Sequence, residues 1–373
     1  MRKLFSLPID WFVLALPLIT IVIGIVTIFT ITYQEHDYRL VIDQGVFALL
    51  GLVALVYFMF SDYRLLQSYS YIIYAIGIIL LVPLLPMIAV NLSFVPQVFG
   101  AHRWLDFGFF QLQPSEIFKA IAAIIAAKIL APVIGQINIR KILMYLIFAA
   151  VPLIMVVVQP DLGTTTIILT IFIAVFIGAK PSWRVLVGMV IAMVIGLGLL
   201  LSNLHNLQPY QQQRIETFLN PASDPLGEGY NVIQSLIAVG SGGLSGQGFG
   251  QGSQTVLNFL PVPHADFIYA GYAEATGFIG SSILLILYVI LVFRAITIAR
   301  DSTDPFGQLL ALGIATKFFF QTAVHIGMNV GLLPVTGIPL PFMSYGGTAL
   351  IVDMALIGIL ESIAIRHKKI VFG

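Results

Sequence analysis

Ten long apolar runs, separated by short polar stretches, decide what this 373-residue chain can become. They fall at about 11–32, 42–60, 68–92, 114–134, 142–158, 163–179, 185–203, 264–293, 306–333 and 348–365. Most come close to the ~20 apolar residues that cross a bilayer as a helix, and they are too long and too uniformly apolar for barrel strands. In hydrocarbon only helices and closed barrels satisfy every backbone N–H and C=O. The expected fold is therefore an all-α polytopic bundle of about ten transmembrane helices, forming one integral membrane domain over residues 1–373. Charged residues make up 9% of the chain, against ~25% in soluble domains. That excludes a soluble enzyme and a disordered chain. Eighteen Lys+Arg against seventeen Asp+Glu leave no basic face for phosphates, which excludes nucleic acid as a partner. The absence of cysteine removes disulfides and thiolate metal sites.

Basic residues orient the bundle. With the N-terminus inside, twelve Lys and Arg fall in inner segments and three, Arg39, Arg103 and Arg214, in outer ones. Both termini are then cytoplasmic. The first run follows Met1-Arg2-Lys3 but lacks a small-residue cleavage site, so it reads as a retained helix. Two outer segments are too long to be simple connections: 91–113, and the extracytoplasmic loop 204–263 between helices 7 and 8. Apolar stretches at 232–239 and 256–260 suggest that this loop packs back onto the bundle.

Ionisable side chains inside such runs cost a few kcal/mol and need a partner or a task. Gln113-Pro114-Ser115-Glu116 reads as a helix start, and Lys119 lies three residues beyond Glu116, where the two can pair. The pair is either a structural salt bridge or part of a site. At 1.5 Å per residue, Lys119 sits about 7 Å below the outer end, a depth suited to a headgroup phosphate. Asp161, in Gln159-Pro160-Asp161, reads as the N-cap of the next helix, whatever else it does. Asp266 follows the long loop and opens the eighth run. It is either a second N-cap or a partly desolvated carboxylate, and so a stronger base. Glu274 reads as a structural acid, and Lys317 and Asp353 lie at depths that a lysine stem can bridge. The glycine-rich stretch 240–252 lacks a Gly-Lys-Ser/Thr ending and follows no strand, so it is no P-loop. Tight or flexible backbone is its plain reading; N–H groups turned to a diphosphate are the alternative. Asp266 as a base, with Arg103, Lys119 and Arg214 as cations, suits a lipid-diphosphate substrate at the outer leaflet.

Several of these segments resemble the SEDS family (shape, elongation, division and sporulation), the polytopic peptidoglycan glycosyltransferases. The resemblance covers nearly the whole chain. It is carried by Arg103-Trp104 with Gln113-Pro114-Ser115-Glu116-Ile117-Phe118-Lys119, by Gln159-Pro160-Asp161-Leu162-Gly163-Thr164, and by Gly229-Tyr230-Asn231 with the residues up to Gly243. His264-Ala265-Asp266-Phe267-Ile268 and the long stretch from Gly331 to Gly347 complete it. Gln159 before Pro-Asp, Asn258-Phe259-Leu260-Pro261 and Gly337-Ile338-Pro339-Leu340-Pro341-Phe342 resemble the RodA (elongation) branch more than the FtsW (division) branch.

The resemblance implies an inverting enzyme that polymerises lipid II into β-1,4 glycan strands at the outer face of the bacterial cytoplasmic membrane. Asp266 would be the general base and undecaprenyl diphosphate the leaving group. Arg103, Glu116, Lys119 and Asp161 carry over as functional, substrate-binding positions; Arg214 joins them on charge and location alone. No metal ligands are implied, and a divalent cation (Mg2+ or Mn2+) on the diphosphate is the one cofactor left open. The implied partner is a class B penicillin-binding protein that supplies the transpeptidase. The chain departs from the family at Val262, where Glu is usual, at Ala275, where a second acid is usual, at Gln247 for Lys and at Asp353 for Asn. These departures weaken any mechanism that needs a second loop acid. Two other readings remain: a lipid II flippase, which needs charged groups lining a path to both faces, and a non-catalytic scaffold for the penicillin-binding protein, which leaves Asp266, Lys119 and Arg103 without a task.

Overall fold

Short polar side chains cap the starts of four of the apolar helices: Asp10, Asn138, Asp161 and Asp304. The computed structural model describes residues 9–33, 38–98, 100–108, 110–189, 191, 216–224 and 227–367. Asp10 accepts a hydrogen bond from Phe12 N and caps α1 (Trp11–Thr32). Next come α2 (Arg39–Phe60) and α3 (Arg64–Leu81). Pro114 occupies the first turn of α4 (Pro114–Leu130), where its missing N–H has no intrahelical partner to lose. Asn138 caps α5 (Ile139–Val158), and Asp161 caps α6 (Leu162–Gly178) through Thr164 N at 3.0 Å, as expected. After α7 (Glu228–Ser241) come α8 (Ile268–Asp301), α9 (Pro305–Asn329), capped by Asp304, and α10 (Gly347–His367). Among the described residues, seven helices are long and apolar enough to cross a membrane, and the shorter α6 is equally apolar. The seventh run, 185–203, lies mostly outside the described residues.

The centre of the bundle is α4, α9 and α10. α4 lies among α3, α5, α6 and α9, while α10 runs along α2. Leu49, Val53 and Tyr57 on α2, Ile79 on α3, and Ile147 and Ile154 on α5 are exposed. Charged Glu116, Lys119, Lys317, Asp353 and Glu361 are buried. Hydrocarbon lipid is as apolar as leucine, so outward apolar faces cost nothing and the polar groups turn inward. Near the end of α10, Arg366 donates to the Met59 and Phe60 carbonyls and closes the C-terminus of α2.

The third run is shorter than its composition suggests. Pro83 and Pro86 end α3 at Leu81, and the chain continues through a 3-10 turn (Val82–Leu84) and a one-turn helix (Pro86–Ala89). These pack with Val95 and Leu105 into a small satellite core. The following segment ends in a hairpin, β1 (Leu105–Asp106) antiparallel to β2 (Gln111–Leu112). Thr348 Oγ1 donates to the Gln111 carbonyl at 3.1 Å and accepts from Gln113 N at 3.1 Å, tying the hairpin to the start of α10.

α8 breaks at Gly277, whose φ and ψ are 66° and −161°. The glycine-rich loop fills the break. Phe278 N and Ile279 N donate to the Gly243 and Leu244 carbonyls at 2.9 and 3.1 Å, while Gln247 N and Gly248 N donate to the Glu274 and Ala275 carbonyls at 3.0 and 2.9 Å. Such close backbone approach needs glycine: a Cβ on Gly246 would lie 2.2 Å from the Ala275 oxygen. The Gln247 and Gly248 N–H groups are therefore spent on the broken helix, which agrees with the plain reading of this stretch as tightly turned backbone. Glu274 is the structural acid expected. Buried, it accepts from Gln254 N, Thr255 N and Thr255 Oγ1 at 2.8–3.1 Å. The long loop also returns to the bundle as expected, with Ser235 and Ala238 of α7 buried against α8 and α9.

Candidate active site

The first residue of α8 is Ile268, and Phe267 occupies its N-cap without a side-chain cap bond. Asp266 is therefore not an N-cap; it sits half-buried in the turn just before the helix. Its backbone is held from two directions. Asn329, fully buried at the end of α9, donates through Nδ2 to the Asp266 carbonyl at 3.0 Å and accepts from Ala270 N at 3.1 Å. Ser344 Oγ donates to the Ala265 carbonyl at 2.8 Å, and Tyr345 N donates to the His264 carbonyl at 2.9 Å. Burial, then the Asp43 carboxylate, hold the Tyr345 phenol above its usual range. The Asp266 carboxylate faces Gly337: a Cβ there would lie 3.9 Å from Oδ2, and the φ of +67° is one glycine adopts without strain.

Gly337 belongs to the segment between α9 and α10, which has no regular ladder, so buried side chains must satisfy its backbone. Gln321 Nε2 donates to the Pro339 carbonyl at 2.8 Å, and the Tyr288 hydroxyl donates to that of Pro341 at 2.6 Å. His325 Nδ1 lies 2.7 Å from the Ile338 carbonyl, and Gln44 Nε2 donates to that of Ser344 at 3.1 Å.

The same segment reaches the other candidate residues. Lys119 Nζ lies 2.6 Å from Glu116 Oε2 and donates to Gln321 Oε1 at 3.0 Å, so the ion pair connects through Gln321 to Pro339. The start of α6 packs on the segment directly, since a Cβ on Gly163 would lie 2.8 Å from the Thr336 oxygen. Asp161, besides capping α6, accepts from Ser115 Oγ at 3.4 Å. Arg103 donates to the Gln159 and Pro160 carbonyls, placing its positive charge at the carbonyl end of α5. Residues 336–339 thus face Asp266, abut the start of α6 and connect through Gln321 to Lys119. The arrangement offers a half-exposed carboxylate beside a loop held by side chains of several helices.

Residues 6–369 match the family described as "Cell cycle protein", FtsW/RodA/SpoVE. The chain belongs to that family. The peptidoglycan glycosyltransferase MrdB of Escherichia coli K12 is 39% identical over 321 residues, 86% of this chain and 84% of the relative. Stage V sporulation protein E of Bacillus subtilis is 35% identical over 96% of this chain and 98% of its own length. Among solved structures, a chain from work on "structural coordination of polymerization and crosslinking by a peptidoglycan synthase complex" aligns with a TM-score of 0.79. That chain is 29% identical, with 95% and 97% of the two chains covered. Thermus thermophilus rod shape determining protein RodA, in an aspartate-to-alanine mutant, aligns with a TM-score of 0.71 at 25% identity, covering 97% and 99%. The RodA-branch likeness in the sequence is consistent with these relatives.

Within this FtsW/RodA/SpoVE member, the expected site residues separate by accessibility. Glu116 and Lys119 are fully enclosed, 1% and 0% exposed, and paired with each other. The ammonium holds a carboxylate and an amide, so the structural salt bridge that their spacing allows is present. Asp161 is likewise buried and spent on Thr164 N and Ser115. Arg103 and Asp266 keep partial exposure, while Arg214 lies outside the described residues. Lys317 and Asp353 form the expected ion pair, both 1% exposed. Reading the sequence for charge alone passes over Gln321, His325, Asn329 and Ser344. A signal for three of them was present: Lys317, Gln321, His325 and Asn329 recur every fourth residue in a run that is mostly apolar.

Proposed function

We propose that this FtsW/RodA/SpoVE member is a peptidoglycan glycosyltransferase that extends glycan strands from lipid II at the outer face of the bacterial cytoplasmic membrane during cell-wall elongation. The Asp266 carboxylate removes the proton from the acceptor 4-hydroxyl. The freed oxygen bonds to the donor anomeric carbon, the bond from that carbon to the diphosphate oxygen breaks, and undecaprenyl diphosphate leaves with the electron pair. Attack opposite the leaving group converts an α-linked donor into a β-1,4 linkage. A diphosphate leaves readily once its charge is neutralised. Arg103 and Arg214 supply that charge in this reading, and Mg2+ or Mn2+ entering on the diphosphate would share the task, a share read by chelation.

The observation that supports this most is the half-buried Asp266 carboxylate at the outer end of α8, its backbone fixed by Asn329 and its neighbours by Ser344 and Tyr345. By likeness to the synthase complex, the partner is a class B penicillin-binding protein; by the distribution of basic residues, both termini are cytoplasmic. A flippase would need charged groups open along the inner half, where candidates are few: Lys317 is enclosed and paired with Asp353, and Lys128 lies in the last turn of α4 over the Tyr71 ring.

The test is polymerisation of labelled lipid II by the purified chain with its partner in detergent, where no leaflets exist. Wild type is expected to make polymer, and Asp266→Asn to lose ~100-fold or more in rate. A mutant that polymerises at the wild-type rate overturns Asp266 as base. A folded wild-type complex that makes no polymer overturns the enzyme.

A further inference from the structure

On α9, Lys317, Gln321, His325 and Asn329 follow one another at intervals of four, about 6 Å apart along the axis and about 40° round it. They form one buried polar stripe. Each rung holds something different. Lys317 pairs with Asp353 on α10, and Gln321 bridges Lys119 on α4 to the Pro339 carbonyl. Asn329 holds the Asp266 carbonyl and Ala270 N. Between them, His325 is 0% exposed, its Nδ1 lies 2.7 Å from the Ile338 carbonyl, and its Nε2 has no hydrogen-bond partner. A carbonyl only accepts, so the imidazole carries its hydrogen on Nδ1. A ring that merely filled space here would be apolar, because burying an unpaired ring nitrogen is unfavourable. The one bond it makes therefore explains its presence, and that bond holds the residue next to Gly337, which the Asp266 carboxylate faces.

We infer that His325 is a positioning residue for glycosyl transfer: its Nδ1–H holds the Ile338 carbonyl, and with it Gly337, in the place that aims the Asp266 carboxylate at the acceptor hydroxyl. The inference rests on Asp266 as the base. Three substitutions separate the donor from the bulk of the ring. In His325→Asn the amide N–H falls near the position of Nδ1, in His325→Gln it falls near Nε2, and His325→Leu has no donor.

Each variant is assayed with the partner for lipid II polymerisation, over a range of lipid II concentrations, alongside Asp266→Asn and a thermal melt in the same detergent. His325→Leu is expected to lower kcat about 10- to 100-fold with KM nearly unchanged, because misplacing a reacting group costs rate rather than binding. His325→Asn recovers most of the rate and His325→Gln does not. Equal rates for the Asn and Gln variants overturn the proposal, as does a folded Leu variant with wild-type kcat. If the Leu variant does not fold, the Asn–Gln comparison decides alone. An inactive Asp266→Asn beside an unaffected His325 series sinks the positioning role only. A fully active Asp266→Asn sinks the base itself.

Discussion

Removing one partner of the Lys317–Asp353 pair should damage this protein far more than removing both. The two charges meet in the core between α9 and α10, each 1% exposed, and Asp353 Oδ2 has no hydrogen-bond partner. Lys317 Nζ also lies 4.6 Å from the Phe318 ring centroid. The Glu116–Lys119 pair is close enough to act electrostatically on both. It offers no replacement partner, because Glu116 is already engaged by Lys119 at 2.6 Å. Breaking a buried pair leaves an uncompensated charge and costs ~3–5 kcal/mol, whereas replacing both ions with apolar residues of similar volume is near neutral or stabilising. Values at the low end are expected, since a helix unfolded in a micelle also finds polar partners. Lys317→Met and Asp353→Leu should each cost about 3 kcal/mol, and the double mutant close to none. Asp353→Asn is the sharpest case. It restores the residue usual in the family, yet should destabilise this chain by a similar amount because Lys317 is left alone. The measurement is equilibrium unfolding in mixed detergent and SDS micelles, extrapolated linearly. Additive losses in the double mutant, or wild-type stability in Asp353→Asn, would refute the reasoning.

Two further outcomes follow from single positions. Gly246→Ala should cost about 2 kcal/mol or more, because φ is +80° and the new Cβ would lie 2.2 Å from the Ala275 oxygen; Gly240→Ala, with nothing within 4 Å, should be harmless, and equal melts for the two would refute the docking of this loop on the α8 break. Burial, then the Asp304 carboxylate to which it donates at 3.0 Å, push the Tyr63 phenol from 10.0 up to about 12. The folded value lies above the unfolded one, so its contribution to stability is whole below pH 10 and is lost as pH rises through about 12. The ultraviolet difference titration between wild type and Tyr63→Phe should have its midpoint near 12; a midpoint near 10 refutes the burial argument.

Much of the bundle was legible because hydrocarbon imposes length and apolarity on each helix independently of its neighbours. Nine of the ten expected runs correspond to helices among the described residues, with errors where local chemistry intervened. Pro83 and Pro86 ended α3 early, and α8 began after Asp266 rather than before it. Asp161 could be read as a cap because capping is local. Lys317 with Asp353, and Glu116 with Lys119, could be read as pairs because isolated charges are intolerable in the membrane.

What sequence alone determined is therefore the membrane fold, the family and the short list of charged residues. Tertiary structure decided what each of them touches. Lys119 is enclosed and held in place partly by Gln321, 202 residues away. The glycine-rich loop became a plug because α8 breaks opposite it. Asp266 faces Gly337 because Asn329 and Ser344, which carry no charge and so drew no notice, hold the backbone around it. Hydrogen bonds between distant segments have no sequence spacing to betray them; they exist only once the helices have packed.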